Sequence, residues 1–256
     1  MLTEKQKALH KGRFSGSIMH EIIADGVPHD FSPDRDGIKG AYVMVNNGRR
    51  YNDEIYKTVA EYNAAATEEK KRLGKYYLSV GGKTCAKKKA MEIVADYPEI
   101  NEYTSAYMEL GDRNEARAMN DIAWQLGEHI CHTGEEQETF LYGDDCCATP
   151  DGITESGVVI EVKCPAPHTF ADYAMFIHNE DDVEKIVPKY YWQMQTEMLV
   201  TGCQIAYFCF YCPYIRNPDK QLFMIEVNRN EDAIERIKLK VKQAAEYRDR
   251  IVNLLS

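Results

Sequence analysis

Residues 158–164 read Val-Val-Ile-Glu-Val-Lys-Cys, an apolar strand sequence carrying an acid and a lysine two residues apart. Side chains alternate faces along a strand, so Glu161 and Lys163 share one face while Ile160 and Val162 share the other. Just upstream, Thr149-Pro150-Asp151-Gly152 is a turn sequence, and a turn there brings Asp151 alongside the pair. Two carboxylates and an ammonium converging at the edge of a buried strand are costly to desolvate. That arrangement suits a site that holds a hard divalent cation and cuts a phosphodiester. A surface turn followed by an amphipathic strand with a salt bridge explains the same residues.

The flanking pattern places this strand in a sheet. Ile205–Tyr211 is a near-continuous apolar run, as expected of a strand buried on both faces, and 222–227 is another. Residues 139–142 and Ile153 read as strand pieces around the turn. A helix is expected at 190–200, using Tyr191, Met194 and Met198. A long amphipathic helix is expected over Glu231–Leu255, through Ile234, Ile237, Val241, Ala244, Arg248, Ile251 and Leu255.

The N-terminal half reads as helical. Ser15 and Ser17 are N-cap candidates for a helix over 18–24. Further helices are expected at 53–73 (stripe Ile55, Val59, Tyr62), at 84–95 (Ala86, Ala90, Ile93 and Val94 inward) and at about 104–132. Residues 26–50, rich in Gly, Pro, Asp and Asn, read as loop. The order predicts an α/β fold, a central mixed β-sheet flanked by helices with a helical N-terminal half. One domain over 1–256 is expected, with a helical elaboration at about 53–97, a catalytic core at about 104–227 and the C-terminal helix at 231–255.

A chain of 256 residues is long enough for one such domain. Acids outnumber bases 41 to 31, for a net charge of −10. That balance does not advertise a nucleic-acid binder, but a local basic channel matters more than the total. No run of about 18 apolar residues is present, so no membrane span is expected. The start, MLTEKQKALHKGRF, lacks an apolar signal core, so an intracellular protein is expected, its eight cysteines mostly reduced. Cys209 and Cys212 form the single CxxC pair; without a second pair they read as buried thiols.

Mg²⁺ prefers near-octahedral oxygen ligands. Asp151 and Glu161 supply carboxylate oxygens, and the backbone carbonyl of Val162 a third. The metal would polarise a phosphate and acidify a bound water. Lys163 would position that water, help deprotonate it and offset phosphate charge. Glu115 is a further acid candidate, equally readable as an exposed acid paired with Arg113 or Arg117. Gln193 and Gln195 lie among large apolar residues, where an amide must find a partner. Gln193 could hold the attacking water or a phosphate, or be a surface amide. His10, Lys11, Arg13 and Lys83, Lys87, Lys88 and Lys89 could track a phosphate backbone, although a solvated helix face explains the lysines equally. Gly81-Gly82-Lys83-Thr84 resembles the end of a P-loop, but the required earlier glycine falls at Tyr77, which excludes that motif.

Five stretches occur in a telling order: Arg13-Phe14-Ser15-Gly16-Ser17, Gly111-x-x-x-Glu115, Ala148-Thr149-Pro150-Asp151-Gly152, Glu161-Val162-Lys163-Cys164-Pro165, and Gln193-Met194-Gln195 followed by Met198-Leu199-Val200-Thr201-Gly202. Together they resemble the lambda-exonuclease-like (YqaJ-type) phage recombination nucleases of the PD-(D/E)xK superfamily. The resemblance implies a restriction-endonuclease-like core and a Mg²⁺-dependent 5′→3′ exonuclease of double-stranded DNA, with Mn²⁺ able to substitute. It also implies 3′ tails passed to a single-strand annealing partner, a homotrimeric ring around DNA, and a phage or prophage protein working in the bacterial cytoplasm. Asp151 and Glu161 would be metal ligands, Lys163 the catalytic lysine, Glu115 an acid near the metals and Gln193 a water or phosphate positioner. Ser17 matches the family's phosphate-contacting serine, with Ser15, Lys11 and Arg13 beside it. The family's preceding arginine has no single counterpart among His10, Lys11 and Arg13. An endonuclease of the same superfamily and a non-catalytic DNA-binding recombination scaffold are the alternatives.

Overall fold

The computed structural model describes residues 3–26, 31–35, 41–46, 49–96 and 106–256. In chain order, α1 (Glu4–His10), β1 (Phe14–Ser15) and α2 (Met19–Ile22) lead into β2 (Phe31–Arg35), β3 (Tyr42–Asn46) and β4 (Arg49–Arg50). Helices α3 (Val59–Gly74), α4 (Val80–Val94) and α5 (Ala106–Leu126) follow. Then come β5 (Ile130–Cys131), β6 (Phe140–Tyr142), β7 (Cys146–Ala148), β8 (Gly152–Thr154) and β9 (Val158–Lys163). The chain continues through α6 (Pro167–Phe176), α7 (Glu180–Ile186), α8 (Pro188–Thr201), β10 (Ile205–Tyr211), β11 (Leu222–Asn228) and α9 (Glu231–Leu255).

The fold is mixed α/β. Its central sheet has the order β11-β10-β9-β8-β5. β9 and β10 are parallel, with Val158 opposite Ile205 and Lys163 opposite Phe210, and α6, α7 and α8 fill the crossover that parallel pairing requires. The other pairings in this sheet are antiparallel. Strand alternation sorts the two faces. Ile160 and Val162 pack with Ala118, Met119 and Ile122 of α5. Val159 and Phe208 pack with Phe170, Tyr191, Met194 and Met198 on the other side. Burial on both faces accounts for the unbroken apolar run of β10. A smaller sheet, β1-β7-β6, holds the N-terminal segment against the residues that precede Asp151.

Helix α9 buries Ile234, Ile237, Val241 and Ala244 against Phe14, Met19, Ile22 and Ala86. The stripe ends at Arg248, since Leu255 is exposed. Arg248 donates from Nη1 to the Gly12 carbonyl and from Nη2 to Asp145, both at 2.7 Å, which ties α9 to the N-terminal segment.

Several expectations need correction. Within 26–50, residues 31–35, 42–46 and 49–50 form a three-stranded antiparallel sheet, β2-β3-β4. The Tyr-Val-Met-Val core of β3 overrides the turn-forming residues around it; residues 27–30, 36–40 and 47–48 lie outside the description. Helix α3 begins at Val59, because Thr58 caps it by accepting from Glu61 N. Ile55 and Val59 are nearly half exposed, leaving Tyr62 to carry that stripe. The helix expected over 104–132 stops at Leu126, where Gly127 takes φ +66° and the chain turns into β5; its first two residues lie outside the description. Ser15 and Ser17 cap no helix: a 3₁₀ turn at Gly16–Ile18 intervenes and their hydroxyls lie 3.1 Å apart. Helices α1, α6 and α7 were not anticipated.

Candidate active site

The antiparallel β8–β9 pairing sets the turn before β8 beside the end of β9. The Val162 N–H donates to Asp151 Oδ2 at 2.8 Å. The N–H and C=O of one strand residue face the same edge, so the Val162 carbonyl lies on the edge that Asp151 occupies. Lys163 contacts the Glu161 carboxylate and lies 3.8 Å from Asp151 Oδ2. Glu161 is fully buried. Only glycine fits at 152, because a Cβ there would stand 2.5 Å from Ile130 Cγ2 on the adjoining strand β5.

Helix α8 brings a second pair to this face. Gln193 Nε2 donates to Glu197 Oε1 at 3.0 Å, one turn along the helix. Glu197 is buried, and its Oε2 and both oxygens of Glu161 lack an aligned hydrogen-bond partner. Burial, then the nearby Asp151 carboxylate, pushes Glu197 up to about 7. Burial and Asp151 likewise hold Glu161 well above the usual carboxylate range, against the pull of Lys163. Burial disfavours the Lys163 ammonium, but the carboxylates of Glu161 and Asp151 outweigh it and raise its pKa above the ordinary lysine value. In this arrangement the Lys163 ammonium faces the carboxylates of Glu161 and Asp151.

A cleft of about 300 Å³ opens beside these groups. Asp151, Glu197 and Gln193 line one part; Glu115 of α5 enters from another; Ser15 and Ser17 close it from the N-terminal segment. His10 also lines it, with Nε2 2.9 Å from Thr149 Oγ1, and Thr149 is bonded in turn to Thr139 at 2.8 Å. Burial, followed by the charge of Lys89, lowers the His10 pKa. Gln137 donates from Nε2 to the Pro150 carbonyl at 2.8 Å, bracing the turn that carries Asp151.

The structure therefore brings together Asp151, Glu161, Lys163, Glu115, Gln193, Ser15 and Ser17. Lys11 and Arg13 do not line the cleft: Lys11 lies on a neighbouring groove, and Arg13 donates to the Leu9 carbonyl at 2.8 Å. Of the three basic candidates, His10 is the one that reaches it. Gln195 is structural, donating to the Asn228 carbonyl and accepting from Asn230 N. Glu197, Gln137 and Thr149 were missed. Glu197 lies one turn from Gln193, but the packing that buries it is tertiary and its spacing does not reveal it. Gln137 and Thr149 gave no signal either, because tertiary packing alone places them. Cys209 and Cys212 belong to core clusters on opposite faces of the sheet.

Buried carboxylate oxygens are the donor type that a hard cation prefers. Among the described residues no three His, Cys, Asp or Glu side chains stand in ready ligand geometry, and the cation these acids face is the Lys163 ammonium. Asp151, Glu161, Glu197, the Val162 carbonyl and the nearby Glu115 are oxygen donors of the kind a divalent metal takes.

Among solved structures, an alkaline exonuclease from Laribacter hongkongensis shares the fold at a TM-score of 0.63 and 20% identity, over 98% of this chain and 96% of its own. A phage-related exonuclease from Haemophilus somnus 129PT superposes at a TM-score of 0.62 and 17% identity, over 98% and 100%. No curated protein sequence matches significantly. A family model described as a YqaJ-like viral recombinase domain matches residues 66–204, from within α3 to the end of the α8 turn. That match spans more than half of the chain, and the protein belongs to the YqaJ-like viral recombinase domain family.

Proposed function

We propose that the protein is a metal-dependent 5′→3′ exonuclease of double-stranded DNA that leaves 3′ single-stranded tails for recombination. The observation that carries this reading is the convergence of Asp151, Glu161 and Glu197 with Lys163 beside a polar cleft. Family membership and the fold shared with two exonucleases support it.

Asp151, Glu161, Glu197 and the Val162 carbonyl would hold Mg²⁺ or Mn²⁺, with Glu115 close by. The bound metal would supply a Lewis acid at the phosphate and an acidified water. In hydrolysis, the oxygen of water bonds to phosphorus as the bond to the leaving sugar oxygen breaks. The proton released by water balances the one taken up by the leaving oxygen. Lys163 offsets the charge that builds on the phosphate. The Gln193 amide, fixed by Glu197, presents its remaining polar atoms to a phosphate or water. Ser15, Ser17 and His10 supply hydrogen bonds to the DNA backbone.

Linear duplexes labelled at the 5′ or the 3′ end, with covalently closed circular DNA as control, test the reading. Metal-dependent loss of the 5′ label first, with circles intact, is expected. Nicked or linearised circles would make the protein an endonuclease, and duplex bound but never cut with Mg²⁺ or Mn²⁺ would make it a scaffold. The same reading has a ring of three copies enclosing DNA and a single-strand annealing protein as partner. A stable monomer by light scattering would overturn the ring.

A further inference from the structure

A groove of about 1050 Å³ runs between α1 and α4. Lys7, Lys11, Lys87, Lys88 and Lys89 line it, in a chain whose net charge is −10. Its acids are Glu4, Glu92 and Asp96. Glu4 is paired with Lys7 at 2.8 Å, and Glu92 with Lys89 and the Gly12 N–H, each at 2.9 Å. The exposed ammonium groups of Lys11, Lys87 and Lys88 are left facing solvent. His10 lines both this groove and the candidate cleft, so the two adjoin at His10.

The geometry points to a binding track for a single DNA strand: the groove holds the part of the cut strand that extends past the site of cutting. The occupant follows from chemistry and size. A run of lysines without an aromatic side chain attracts phosphates and offers no stacking platform for bases. A volume of about 1050 Å³ has room for a few nucleotides of one strand. A strand entering from the carboxylates passes His10 and emerges among the lysines, so a DNA end with a single-stranded extension need not stop in the cleft. The inference rests on the proposed polarity, under which the extension is on the 5′ strand. Cutting within a threaded extension releases short oligonucleotides in the first turnover, where a blunt end releases its terminal nucleotide.

The test compares fluorescein-labelled duplexes that are blunt, 5′-extended or 3′-extended with oligothymidine. Binding is measured in EDTA across a salt series, and product sizes are measured with Mg²⁺. Wild type is expected to bind the 5′-extended duplex more tightly than the blunt one, with a log–log salt slope steeper by about two. Lys87→Glu/Lys88→Glu should erase that difference and the oligonucleotide products. Lys57→Glu/Lys242→Glu, an equal charge change at exposed sites off the groove, should preserve both. Equal slopes for blunt and extended duplexes in wild type would overturn the track. So would equal losses in the two double variants, or a gain from the 3′ extension that matches or exceeds the 5′ one. Absence of cutting on every substrate would instead strike the nuclease reading, and the EDTA binding series would still decide the groove.

Discussion

Gln193 donates to Glu197 across one turn of α8, and this bond fixes which oxygen of a buried carboxylate is left without a partner. The unbonded Oε2 shares the site with Glu161 and Asp151, so three acids compete for positive charge there.

Glu197→Gln should therefore separate stability from function. In EDTA at a pH above 7 the amide removes a buried charge, and the variant should be more stable than wild type by about 1–3 kcal/mol. Mg²⁺ should raise the melting temperature of wild type and do so much less in the variant, whose cleavage rate should fall about 100-fold or more. An unchanged melting response to Mg²⁺ would remove Glu197 from the metal-holding set.

Lys163→Ala leaves Glu161 and Asp151 without their counter-charge. In EDTA the loss should cost about 3–5 kcal/mol, and Mg²⁺ should restore most of it by replacing one cation with another. Cleavage should fall about 1000-fold while DNA binding is retained. Melting curves with and without Mg²⁺, beside a gel assay for cutting and a filter assay for binding, read these effects separately. A folded Lys163→Ala protein that cuts at the wild-type rate would sink the site assignment.

His10 gives a pH dependence of defined sign. Its folded pKa lies below 6.5, through burial first and Lys89 second. In the window just below 6.5 the unfolded chain then binds more proton than the native state, so stability falls as pH drops through that window and recovers as pH rises to 6.5. His10→Gln should flatten this part of the melting-temperature profile between neutral pH and about pH 5. An NMR titration of the His10 ring with a midpoint at or above 6.5 would contradict the burial argument.

Much of the candidate site's geometry was legible because strand alternation is a strict rule: once Val158–Lys163 is a strand, Glu161 and Lys163 must share a face. The long periodic elements were equally readable: α9 spans Glu231–Leu255 as expected, although its buried stripe stops at Arg248. The N-terminal region was not. There, composition favoured loop over 26–50 while the apolar core of β3 made a strand, and apolar spacing around Ile55 and Val59 suggested a helix face that is exposed. Glu197 was hidden for another reason. A buried acid is distinguishable from a solvated one only by its tertiary neighbours, and those come from β9, fewer than forty residues away in sequence but across a layer in space.

Gly152 offers a test of how tightly the fold holds the site. A Cβ at this position meets Ile130 Cγ2 at 2.5 Å and Met119 Cε at 3.4 Å. The methionine end can swing away; the isoleucine branch sits on β5, which pairs with β8 through Ile130–Thr154 and Cys131–Ile153. Gly152→Ala should destabilise the protein by about 1–3 kcal/mol through overpacking. It should also lower cleavage disproportionately, because the neighbouring residue is Asp151. Ile130→Ala removes the clashing Cγ2. The double variant Gly152→Ala/Ile130→Ala should then be more stable than the sum of the two single losses allows, with a coupling of about 0.5–3 kcal/mol. Recovery of cleavage in the double variant would show that the contact between β5 and β8 sets the position of Asp151. Additive losses would show that Gly152 serves the turn by itself.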